Sequence, residues 1–119
     1  MFASLEVSYL VIKAVRPLVE SVAKENRDLA DQLMRAATST SLNLAEGQRS
    51  QGGNRMKHYS IAHGSANETK AGIKLAIALG LVDEPSALES LALLDRELAL
   101  LWRLTNPRER PEPFEYWGP

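Results

Sequence analysis

The residues best equipped for chemistry lie between positions 31 and 68, around the stretch NLAEGQRSQGGNR at 43–55. Gly47 and Gly52 in this stretch have the G-x-x-x-x-G spacing of a phosphate-gripping loop. That chemistry needs Lys and Ser or Thr next, where this chain has Gly53 and Asn54, and it needs a preceding strand. The glycines therefore read as helix punctuation, and a nucleotide site is excluded. His58 and His63 are five residues apart, about 140° around a helix, so they cannot jointly grip one ion. No glutamate has a histidine three positions later, as a di-metal bundle centre requires, and no cysteine is present. No serine has a recognisable oxyanion context. A non-enzymatic protein without metal or cofactor is expected.

Two sets of polar residues remain. Asn43 and Glu46 are one helical turn apart, as are Ser65 and Glu68, and the four are expected to meet between two helices and hold them in register. Arg35, Arg49, Arg55 and Lys57 are the alternative with a function. Clustered around the loop, and helped by the positive start of the following helix, they could take phosphate groups. Asp31 and Arg35 have the spacing of an i,i+4 ion pair.

Bulk composition narrows the setting. The 119 residues suit one core, and 45% hydrophobic with 24% charged residues is ordinary for a globular protein. A net charge of −1 argues against wholesale attraction to polyanions. The average conceals an asymmetry: Arg49, Arg55, Lys57, Lys70 and Lys74 face Glu68 alone over residues 48–80, a net of +4. Residues 81–119 carry four arginines against eight acids, a net of −4. These charges also have a plain role as solvated helix faces that pair with each other or with neighbouring subunits. The amino-terminal stretch carries Glu6 within its apolar run and does not read as a signal peptide, and GIKLAIALGLV is too short to span a membrane. A cytoplasmic protein that avoids membranes is the expectation.

The elements that must position these residues follow from a 3.6-residue apolar period that recurs along the chain, with no strand-like alternation. Four helices are expected. The first runs from about Ser4 to Lys24, with Leu5, Ile12, Val15, Val19 and Val22 inward and a kink or break at Pro17. The second starts at an Asp28 cap and runs to Glu46, with Gly47 as the left-handed residue beyond its end. The third runs from Asn54 to Gly80, and the fourth opens at Asp83 or Glu84 before Pro85 and closes at Asn106. Short connections make neighbours antiparallel, giving an all-α, up-down-up-down four-helix bundle over residues 1–106. Residues 36–41 of the second helix are all small, and Gly64 is expected to mark close crossing against them. Residues 107–119 form a tail rich in proline, with Phe114, Tyr116 and Trp117 as aromatic anchors. It folds back on its own bundle or docks on another subunit, the second being typical of such anchors.

Arg35, Ala36, Ala37, Ser39, Asn43, Leu44, Ala45, Glu46 and Gly47, followed by Tyr59, Ile61, Ala62, Gly64, Ser65 and Glu68, form two linked blocks. They resemble the signature of a bacterial four-helix-bundle family. That family includes proteins encoded by intervening sequences in large-subunit ribosomal RNA genes and the accessory variability determinant of diversity-generating retroelements. The resemblance covers about residues 4–104. It implies a four-helix protomer, a homo-oligomeric ring of five subunits and, from the retroelement member, binding to a reverse transcriptase and to RNA or DNA through a basic surface. The competing expectation is a protein-interaction adaptor with no nucleic-acid role. Ser41 stands where a proline is usual, which implies a straighter second helix.

Overall fold

The computed structural model describes residues 2–107, in which four helices follow one another: α1 Ala3–Ala23, α2 Arg27–Arg49, α3 Gly52–Ala78 and α4 Glu84–Thr105. They form the expected all-α up-down-up-down bundle, with α2 packing on α1 and α3, and α4 on α3 and α1. Among the described residues there is no strand. Phe114, Tyr116 and Trp117 lie outside the described residues.

Local chemistry sets the ends. Asn26, not Asp28, caps α2: its side chain accepts from the Leu29 amide at 3.0 Å, while Asp28 lies in the first turn, where its charge suits the positive end of the dipole. Asp83 caps α4 from the position before Glu84, accepting from the Ser86 amide. Gly80 takes φ +76° after α3, and the Leu81 amide reaches back to the Ala76 carbonyl, a Schellman closure. Pro17 does not break α1: its ring is exposed, and the helix continues past the one lost bond, that to the Lys13 carbonyl.

The core is built on spacings of three and four. Val7, Val11, Val15, Leu18 and Val22 of α1 are buried, whereas Leu5 and Val19 only flank the core and Ile12 is half-buried. The inward face of α1 is thus rotated from the expected one. Leu29, Leu33 and Leu44 of α2, Ile73 of α3, and Leu94 and Leu101 of α4 complete the core. The small stretch of α2 serves two neighbours at once. Ser41 donates to the Ser8 hydroxyl of α1 at 2.8 Å, and Ser39 accepts from the Ser65 hydroxyl of α3 at 2.9 Å. Gly64 does not mark the crossing. It is exposed, and a Cβ there would meet open space. Gly72 is the close approach instead, since its missing Cβ leaves room for Leu33, whose Cδ2 would otherwise be 2.6 Å away.

Candidate nucleic-acid interface

Only Ser50 and Gln51 separate α2 from α3, so the loop is a tight hairpin rather than a cradle. Expected to end at Glu46, α2 instead continues through Gly47 to Arg49. Gly47 is buried inside the helix, where a Cβ would lie 2.6 Å from Tyr59 Cε1. It is a packing glycine, not a left-handed cap. The carbonyls at the end of α2 find other partners: Arg55 donates from Nε to the Gly47 carbonyl at 3.0 Å and from Nη2 to that of Gln48 at 3.2 Å. The Ser50 amide and hydroxyl take the Gly47 and Glu46 carbonyls. A guanidinium at this position also offsets the negative end of the helix dipole. Gly52 adopts φ +57°, which lets α3 begin two residues before the expected Asn54.

The seam between α2 and α3 is polar in its lower half. Asn43 Nδ2 donates to the Ser39 carbonyl at 3.0 Å, which leaves Oδ1 to accept from His58 Nδ1 at 2.9 Å. Ser65 donates to the Ser39 hydroxyl. Two of the four residues expected in this cluster, Asn43 and Ser65, therefore join it. Glu46 and Glu68 do not: both are exposed, and Glu68 borders a shallow depression with Gln32 and Leu75. The geometry explains the split. Ser39, Asn43 and Gly47 form one row at spacings of four, whereas a spacing of three puts Glu46 about 60° behind Asn43. On α3 the row is His58, Ser65 and Gly72, a spacing of seven that keeps nearly one direction. Ser39, His58 and Gly72 were not among the expected site residues, though the heptad was visible in the sequence.

The basic set divides as well. Arg49, Arg55 and Lys57 are exposed at the hairpin. Arg35 is exposed but 14 residues back along α2 from Arg49, roughly 21 Å at the helical rise, and does not join them. Nor does it pair with Asp31, because the salt bridges among the described residues are Arg16–Glu20 and Lys70–Asp95. The start of α3 faces solvent without a side-chain cap from Gln51. Its first amides have no acceptor within the helix, and the same hairpin carries three exposed cations without an acidic partner among the described residues, of which Arg55 is already bonded to the carbonyls of α2. Such an arrangement can take an anion. Among the described residues no group of three or more His, Cys, Asp or Glu could hold a metal, and no helix is long and apolar enough to cross a membrane.

Fold and site together define a four-helix bundle in which Ser39, Asn43, Gly47, Tyr59 and Ser65 of the two signature blocks join α2 to α3, leaving a basic rim at the hairpin. The chain belongs to the 23S rRNA-intervening sequence protein family, whose profile matches residues 5–103. A solved structure from Bacteroides thetaiotaomicron, a protein of unknown function from the S23 ribosomal protein family, is similar with a TM-score of 0.78 at 19% identity. The similarity covers 86% of this chain and 97% of that one and concerns the fold. No curated protein matches the chain.

Proposed function

We propose that the protein is a non-enzymatic, self-associating helical bundle of the cytoplasm that holds nucleic-acid phosphates at the α2–α3 hairpin. The observation that carries this reading is the uncapped start of α3 on a hairpin that also carries Arg49, Arg55 and Lys57 as exposed cations. Free amides and cations on one hairpin, without an acidic partner, favour a phosphate. Arg35 is not part of this surface. Resemblance to ring-forming relatives supports self-association as a pentamer, and Leu42 and Leu88, 68% and 58% exposed, are apolar positions a neighbouring subunit could cover.

Binding titrations with single- and double-stranded RNA and DNA at several salt concentrations test the proposal. Arg49→Ala with Lys57→Ala is the informative pair, because Arg55 also closes α2 and its loss would disturb the fold. The double variant should bind more weakly and shallow the dependence of log affinity on log salt by about 1.4–1.8, one phosphate contact per cation. Unchanged affinity and slope would remove the hairpin from any nucleic-acid role. The exposed apolar residues would then favour the second reading, a protein-interaction scaffold.

A further inference from the structure

Glu97 sits in the third turn from the end of α4 and is fully buried. Its Oε1 accepts from the Ser4 hydroxyl at 3.1 Å, while Oε2 is buried with no hydrogen-bond partner. Burial pushes its pKa up to about 7 from an ordinary 4.5, and the Ser4 hydroxyl opposes the rise. No charged side chain offsets the burial. On α1, the charged Glu6, Lys13, Arg16 and Glu20 are all exposed, and the inward Ser4, Val7, Ser8 and Val11 cannot ionise. On α3, Lys70 holds Asp95, His63 lies by Thr105, His58 bonds Asn43, and the buried phenol of Tyr59 packs on Phe2; Arg55, Lys57, Glu68 and Lys74 are exposed. The charged residues of α2 are exposed too.

The cover over Glu97 is the weakest part of α1. Ser4 is the second residue of the helix, Phe2 supplies no side-chain cap, and the first hydrogen-bonded amide is that of Glu6. A carboxylate in this position needs water, and helix ends open far more readily than helix interiors. The same terminus carries Phe2, whose ring lies 5.9 Å from that of Tyr59. Tyr59 fills the space left by Gly47, whose carbonyl is held by Arg55. Contacts thus run without interruption from Glu97 to the hairpin.

We propose that Glu97 and the first turn of α1 form a proton-operated latch: neutral Glu97 keeps Ser4 and the turn closed over the bundle interior, and loss of its proton to solvent releases them. Release withdraws Phe2 from Tyr59 and loosens the packing beneath the α2–α3 hairpin. The latch is a property of the bundle and stands whether or not the hairpin binds nucleic acid.

Amide hydrogen exchange on the full chain, corrected for the intrinsic effect of pH, tests it together with the carboxyl ¹³C titration of Glu97. The sign follows from the two protonation states: the open turn prefers the ionised acid, so opening grows as pH rises from the ordinary carboxylate range toward that of the closed state. Protection at Glu6, Val7 and Ser8 should fall roughly forty-fold between pH 5 and pH 7 and level off above about pH 8. Amides in the interior of α2 and α3, which open only with the whole bundle, should stay far better protected than the first turn at every pH, and the Phe2–Tyr59 nuclear Overhauser contact should weaken over the same range. In Glu97→Gln, which keeps both histidines of α3, protection of the first turn should no longer depend on pH in this way. Should that variant fail to fold, the wild-type ¹³C midpoint still decides, near 7 for the latch and near 4.5 against it. Protection of the first turn no lower than that of the interior of α2 and α3, which would mean that it opens only with the whole bundle, or an unaltered pH dependence in Glu97→Gln, would overturn the proposal.

Discussion

Gly47 and Gly64 carry the same side chain in the same signature, yet alanine at each should have opposite effects. At position 47 the new methyl would press into the Tyr59 ring, which is itself held by Phe2, so overpacking should cost about 2 kcal/mol. At position 64 it meets nothing, and removing a glycine from a helix interior should add roughly 0.5–1 kcal/mol. Urea unfolding of the two variants checks both signs. A glycine's reason lies in what stands opposite it, and one sequence shows the glycine without the neighbour. The same limit applies at Glu97. It sits in the run Asp95-Arg96-Glu97, which reads as solvated charge, although Ser90, Leu94, Glu97 and Leu101 follow the three-four spacing of the buried stripe.

Helices were legible as elements and less so at their ends. The apolar period and the stop at Gly80 were enough to place four segments, because amphipathic periodicity and glycine closure are local properties. The α2–α3 boundary was misplaced because α2 is closed by Arg55, eight residues beyond the carbonyl it holds. The start of α2 was also misplaced, its cap lying two residues before the expected Asp28. Asn26→Ala should therefore cost about 1 kcal/mol, whereas Asp28→Ala should cost only a few tenths through the dipole. Thermal melts of the two variants decide between the caps. In the seam, Asn43 and Ser65 were legible as polar groups that had to find partners. Glu46 and Glu68 were misassigned because a one-turn spacing was read as a shared face, and a step of three turns the side chain off the row.

At the scale of the molecule, the buried carboxyl of Glu97 predicts an unusual pH profile. With its pKa raised to about 7 in the bundle and ordinary near 4.5 in the unfolded chain, the acid contributes its full share of stability below pH 4.5. Between those values the unfolded chain releases the proton and the bundle keeps it, so stability should fall by about 3 kcal/mol up to pH 7 and then flatten. Chemical unfolding at intervals from pH 4 to 8, with Glu97→Gln as the flat reference, reads this directly. Up-down-up-down topology has a further effect: the start of α1, the end of α4 and the α2–α3 hairpin share one end of the bundle, as the Phe2–Tyr59 and Thr105–His63 contacts reflect. The turns after α1 and after α3 lie at the other end. A circular permutant that joins residue 107 to residue 2 by a short linker and opens at Glu25 or Val82 would keep every helix intact. Its new ends would then lie at the far pole, leaving the basic hairpin clear of any attached label.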